Sequence, residues 1–71
     1  MGQHYYFNKN RDSKGKHEIH TDKCSFLPEL SNREYIGYED SSVAAKKRAE
    51  REYPSKKFDG CYYCCNSIHT G

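Results

Sequence analysis

Two short segments of this sequence carry side chains suited to binding a transition metal. One contains His20 and, four residues later, Cys24, whereas the other is a Cys-x-x-Cys motif formed by Cys61 and Cys64. A Cys-x-x-Cys loop directs two thiolates at one ion, and three thiolates with one imidazole form a donor set typical of structural zinc sites. The spacing therefore predicts one tetrahedral Zn²⁺ site that joins the middle of the chain to its C-terminal segment.

The fourth ligand of this site is the least determined by the sequence. His17 lies three residues before His20, His69 follows the Cys-x-x-Cys motif, and Cys65 adds a further thiol directly after it. Any of these three residues can replace His20 when only the sequence is considered. A small buried thiol is the preferred interpretation of Cys65, since free cysteine is among the most frequently buried residue types.

Catalysis by this cluster is disfavoured on chemical grounds. Thioredoxin-like redox chemistry at a Cys-x-x-Cys motif belongs to a longer α/β chain with a strand-to-helix context. A catalytic zinc must activate a bound water, but three thiolates donate so much negative charge to the metal that the water would be poorly activated. We therefore expect a structural ion and no enzymatic activity.

Short β-strands are expected to position the first ligand pair. Aromatic and polar side chains alternate over residues 4–8, and extended structure resumes at residues 17–20 after a polar, glycine-containing turn. A third segment with alternating aromatic residues covers 34–38. These patterns predict a hairpin and a third strand, combined in a small three-stranded antiparallel sheet.

One helix should follow the sheet. A residue among 40–42 is expected to cap a helix that continues to about Tyr53 and ends at Pro54, with Ala45 and Ala49 on its buried face. Residues 59–60, Asp-Gly, are typical of a turn leading directly into the cysteine motif. The predicted fold class is α+β, with one helix across the sheet and a C-terminal Cys-x-x-Cys zinc knuckle.

The composition explains why such a chain needs a metal. A chain of 71 residues with one Met and no Trp has few side chains for a core, and a domain of this size buries only about 60 % of its unfolded surface. We expect residues 1–71 to form a single zinc-stabilised domain in which binding and folding are one event. The chain begins without a secretory signal, so a reducing cytoplasm is expected, where clustered cysteines indicate metal binding rather than disulfides.

The order of these features resembles that of a known family. His-x-x-x-Cys is followed by a short loop, an aromatic strand, an Ala-containing helix and a Gly directly before Cys-x-x-Cys. This order resembles the metal-binding domain of the Ada methylphosphotriester repair protein and, more closely, the small Ada-like zinc modules appended to bacterial nucleases and surface proteins. The resemblance covers residues 20–64 and implies that His20, Cys24, Cys61 and Cys64 bind the metal.

The same resemblance bears on function. The Ada repair domain uses four cysteines, one of which accepts a methyl group from DNA phosphate, and His20 stands at one of those corners, which disfavours methyl transfer to Cys24. We expect a zinc-stabilised interaction module with a protein partner, because a net charge of +2 is low for a nucleic-acid module. Nucleic-acid binding is the main alternative, through basic residues on or after the helix: Lys46, Lys47, Arg48, Arg51, Lys56 and Lys57.

Overall fold

The chain forms a four-stranded mixed sheet with one α-helix. The structure is a computed structural model, which describes residues 2–70. The elements in chain order are β1 (Gln3–Asn8), β2 (His17–Thr21), β3 (Arg33–Glu39), α1 (Ser42–Glu52) and β4 (Phe58–Gly60). Single turns of 3-10 helix occupy Leu30–Asn32 and Asn66–Ile68. The spatial order of the strands is β3-β1-β2-β4. Within residues 2–70, no helix has the length and apolar character needed to cross a membrane.

The prediction of three antiparallel strands is wrong in one respect, because a fourth strand joins the sheet in parallel. β1 pairs antiparallel with both β2 and β3, as the hairpin and third-strand patterns indicate. β4 pairs parallel with β2 and places Gly60 opposite Ile19. Residues 59–60, expected to form a turn, therefore lie in a strand. A strand of three residues has almost no periodicity of its own, and its pairing partner lies far away in the sequence.

The helix agrees with its sequence signals. The hydroxyl oxygen of Ser41 accepts a hydrogen bond from the backbone amide of Ala44 at 3.1 Å, which caps the first turn. Ala45 and Ala49 are completely buried, so their small side chains allow the helix to approach the sheet closely. The helix ends at Glu52, directly before Tyr53 and Pro54, where proline prevents continuation.

The core lies between the helix and one face of the sheet. Its buried side chains come from all four strands, the helix and the C-terminal segment: Tyr5, Phe7, Ile19, Ile36, Ala45, Ala49, Phe58, Cys65 and Ile68. Five other aromatic residues are exposed instead: Phe26, Tyr35, Tyr38, Tyr62 and Tyr63. A core this small, with three aromatic rings among its buried side chains, provides little apolar burial to stabilise the fold.

Candidate metal centre

The ends of β2 and β4 lie side by side, and this arrangement brings the two predicted ligand pairs together. The backbone amide of Cys61 donates to the carbonyl oxygen of Ile19 at 3.0 Å, which extends the parallel pairing one residue beyond β4. On the other strand, the chain turns after β2 and the amide of Cys24 donates to the carbonyl oxygen of Thr21 at 3.2 Å. Both cysteine segments therefore leave the sheet from adjacent points.

Four side chains converge there, and they are the four named by the sequence: His20, Cys24, Cys61 and Cys64. Their ligand atoms all lie within 4.8 Å of one another. The sulfur atoms of Cys24 and Cys61 are 3.8 Å apart, far longer than a disulfide bond of about 2.05 Å, and all four cysteines of the chain are free. Zinc–sulfur bonds of about 2.3 Å in a tetrahedron place two sulfurs about 3.8 Å apart. The cluster could thus hold a metal ion.

Backbone amides point at two of the sulfur atoms. The amide of Thr21 donates to Sγ of Cys64, and the amide of Phe26 donates to Sγ of Cys24, each at 3.4 Å. Burial raises the pKa of the Cys24 thiol, although the hydrogen bond from Phe26 opposes this effect. Amide donors favour the thiolate, which is the form that binds metals. A cation within the cluster would stabilise that form further.

His20 has an imidazole nitrogen that no protein group satisfies. The residue is 1 % exposed, its Nε2 lies 3.2 Å from a carboxylate oxygen of Glu18, and its buried Nδ1 has no hydrogen-bond partner. Burial lowers the pKa of His20, which favours the neutral ring. A neutral ring that donates from Nε2 to Glu18 leaves the Nδ1 lone pair available to a metal, and a carboxylate behind the ligating imidazole is the usual arrangement at such sites.

The three alternative ligands lie outside this group. Nδ1 of His17 lies 2.8 Å from the carbonyl oxygen of Asn8, and Nδ1 of His69 lies 2.8 Å from that of Gly60. Cys65 is buried in the core, with its sulfur 3.7 Å from that of Cys64. Burial, together with the neighbouring Cys64, raises the pKa of the Cys65 thiol. Cys65 is therefore suited to packing as a neutral thiol, as the sequence interpretation preferred.

Two residues that help to build the site were not recognised from the sequence. Asp59 is 2 % exposed, and its carboxylate accepts hydrogen bonds from the amide of Gly60 and from the amide and hydroxyl of Thr70. Burial alone would raise the pKa of Asp59, but these hydrogen bonds outweigh it and the pKa lies below its usual value. Asp59 thus ties the end of the chain to β4. Glu18 was missed as the partner of His20, although residues two apart on a strand share a face.

Gly60 is required for the cysteine loop to fold back onto β4. A Cβ atom at this position would overlap the carbonyl oxygen of Cys65 and the side chain of Ile68. Because both contacts involve the segment that carries the cysteine motif, a larger residue would push that segment away from the sheet. The sequence prediction placed a glycine signal here correctly but assigned it to a turn.

An exposed aromatic cluster flanks the metal centre and consists of Phe26, Tyr62 and Tyr63. The rings of Phe26 and Tyr63 stack with centroids 4.7 Å apart, and Tyr62 contacts Tyr63 edge-on at 5.2 Å. The three residues are 55 %, 58 % and 71 % exposed, respectively. Phe26 follows Cys24 by two residues, whereas both tyrosines lie between Cys61 and Cys64. The same loops that carry the sulfur atoms therefore also present these rings to solvent.

The basic helix face is partly neutralised by carboxylates. Arg48 contacts Glu39 at 3.0 Å and Glu52 at 3.2 Å. The arginine side chain crosses directly over Gly37, where a Cβ atom would collide with the guanidinium group. One of the six basic residues considered for nucleic-acid contacts is thus engaged in joining α1 to β3.

No family model, curated protein or solved structure matches the chain.

Proposed function

We propose that His20, Cys24, Cys61 and Cys64 bind one structural zinc ion and that the zinc-stabilised protein is an interaction module without catalysis of its own. The observation that carries this proposal is the convergence of three sulfurs and one imidazole within 4.8 Å. Oxygen-preferring cations such as Mg²⁺ and Ca²⁺ are poorly matched to this donor set, whereas zinc is well matched. The likeness to Ada-like zinc modules supports the same four ligands.

The unpaired Nδ1 of His20 is the nitrogen that would bind the metal. Leaving a buried nitrogen without a partner costs about 1–3 kcal/mol, and a bound cation removes that cost. When zinc is bound it supplies a fixed tetrahedral junction between the loop after β2 and the segment after β4. Glu18 would hold the imidazole in the orientation that presents Nδ1 to the ion.

A protein partner is the favoured ligand of this module because of the exposed aromatic cluster. Phe26 stacks on Tyr63, Tyr62 contacts Tyr63 edge-on, and all three are held by metal-site loops, so little side-chain freedom would be lost on binding. Tyrosine and phenylalanine are enriched at the centres of protein interfaces. In this proposal, zinc orders the surface that a partner recognises.

Metal analysis of the purified protein is the decisive test of the zinc site. We expect one zinc per chain by elemental analysis, together with thiols that react only after denaturation. Cys61→Ala should abolish binding, whereas Cys65→Ala, which removes a thiol from the core, should retain one zinc. Metal-free protein with four reactive thiols would contradict the proposal, and so would equal loss of zinc in both variants.

The interaction role is tested separately through the aromatic cluster. The zinc-loaded protein and a Phe26→Ser/Tyr63→Ser variant with the same zinc content are compared as baits for proteins from the native host. We expect partners that the original chain retains and the variant loses. If both baits retain the same partners with equal yield, the aromatic cluster is not the interface.

A further inference from the structure

A basic pocket lies at the end of the sheet opposite the metal centre. It has a volume of about 510 Å³, and one of its lining residues is His17, at the start of β2. Five of its eight lining residues are lysine or arginine: Lys9, Arg11, Lys14, Lys56 and Lys57. Three of them come from the loop between β1 and β2, and two come from the segment between α1 and β4.

The concentration of positive charge in this pocket is high for the molecule. The chain has 12 Lys and Arg residues and a net charge of only +2, yet the eight residues among 2–70 that line the pocket include five cations and no Asp or Glu. Among residues 2–70, the carboxylates that pair with Arg48 and His20 are Glu39, Glu52 and Glu18, and none of them lines the pocket. A concave surface lined by one sign of charge concentrates counter-ions of the other sign.

Hydrogen bonds hold the backbone on both sides of the pocket. In the loop between β1 and β2, a carboxylate oxygen of Asp12 accepts hydrogen bonds from the amides of Lys14 and Lys16, both at 2.9 Å. Gly15 completes this turn with φ of 79°. The segment between α1 and β4 is joined to the start of β2, because the amide of His17 donates to the carbonyl oxygen of Lys57 at 2.7 Å. A preformed backbone lowers the entropic cost of binding a ligand.

The pocket selects for charge rather than for a flat apolar ring. Of the described residues that line it, only His17 is aromatic, and that ring is already in contact with Phe7 and Phe58. Lysine and arginine side chains bind phosphate oxygens through charge-assisted hydrogen bonds. We propose that this pocket binds the phosphate groups of a ligand, supplied either by a free oligophosphate compound or by the backbone of a single-stranded nucleic acid.

The test measures two phosphate sources against two variants with the same change in charge. Inorganic pyrophosphate is titrated by calorimetry and a single-stranded thymidine oligomer by fluorescence anisotropy, both with the zinc-loaded full chain. Lys56→Ala/Lys57→Ala removes two pocket cations, whereas Lys46→Ala/Lys47→Ala removes two cations from α1. We expect the pocket variant to lose about tenfold in affinity for a bound ligand and the helix variant about twofold. Direct phosphate contacts contribute much more to affinity than screened charges at a distance.

Salt dependence and position give independent readouts. For the oligomer, the slope of log affinity against log salt should fall by about 1.4 in the pocket variant, because each lost contact on a single strand contributes about 0.7. Amide resonances of Gly15 and Lys57 should shift on titration with either bound ligand. Pyrophosphate binding would identify free oligophosphate as sufficient, and binding of the oligomer alone would identify the polymer backbone. Binding of neither at low salt, or equal losses in the two variants, would overturn the proposal.

Discussion

Each end of β2 buries one histidine, and the surroundings of the two imidazoles differ. His17 is 4 % exposed, its Nδ1 is hydrogen-bonded to the backbone of Asn8, and its ring packs against Phe7 and Phe58. His20 is 1 % exposed, but its buried Nδ1 has no partner among residues 2–70, and its ligand atom lies within 4.8 Å of three cysteine sulfurs. The side chains lie on opposite faces of the strand because they are three residues apart.

The difference shows how two parts of one small fold reach stability by different means. Around His17, the carbonyl oxygen of Asn8 is hydrogen-bonded to Nδ1, and two phenylalanine rings pack against the imidazole. Around His20, no group among residues 2–70 satisfies Nδ1, and a cation shared with the three sulfurs would do so. The protein itself therefore satisfies Nδ1 at the His17 end, whereas the metal of our proposal would satisfy Nδ1 at the His20 end.

Metal removal should have the largest effect of the changes considered, and it should unfold both ends of β2. Structural zinc in small domains contributes an apparent binding free energy of about 10–16 kcal/mol at neutral pH, which exceeds the total stability expected of so short a chain. We expect a strong chelator to abolish the near-ultraviolet circular dichroism and the dispersed amide resonances of both ends of β2 together. Added zinc should restore them. If resonances around His17 stay dispersed without metal, the His17 end folds by itself and the coupling is absent.

Replacing His17 and His20 one at a time should have a different effect at each end of β2. His17→Ala removes a packed ring and should lower the free energy of unfolding of the zinc-loaded protein by about 2–4 kcal/mol. His20→Ala removes a ligand and should change the donor set itself. Cobalt substituted for zinc reports that donor set through its visible absorption, which we expect to match the original chain in His17→Ala and to differ in His20→Ala.

A third substitution separates ligation from packing at the His20 end. His20→Cys supplies another zinc ligand at the same position and, as in the four-cysteine Ada domain, should restore tight binding. Unchanged cobalt spectra in all three histidine variants would show that His20 does not bind the metal.

The same contrast explains how much the sequence could predict. Ligand spacing and residue type identified Cys24, Cys61 and Cys64, because metal chemistry restricts both. They favoured His20 as the fourth ligand but left His17, His69 and Cys65 open as replacements. Local signals also identified α1 through its cap at Ser41 and the hairpin through its alternation. β4 was missed, since three residues around Asp59 and Gly60 gain their strand geometry from distant β2. The pocket was missed for the same reason, because its two walls are separated by more than half of the chain.

Glu18→Gln should have a smaller effect than loss of a ligand and refines the description of the His20 end. The carboxylate oxygen of Glu18 lies 3.2 Å from Nε2 of His20, so its charge should strengthen the imidazole as a ligand. Loss of such a partner typically lowers metal affinity about 10–100-fold. We expect the low end of this range, because Gln retains a hydrogen-bond acceptor. Glu50→Gln, on the exposed side of α1, provides the control in a chelator competition and should leave zinc affinity unchanged.

Ser41→Ala should have the smallest effect, because it acts on α1 through neither histidine. Its hydroxyl oxygen accepts from the amide of Ala44, and loss of such a cap costs about 1 kcal/mol. This change corresponds to a fall in Tm of roughly 4–8 °C for a chain of this size. Ser13→Ala, in the exposed loop between β1 and β2, should leave Tm unchanged, and both variants should keep the cobalt spectrum of the original chain. An altered spectrum in Ser41→Ala would mean that α1 positions the metal ligands directly, and the centre would then depend on the helix as well as on the ends of β2 and β4.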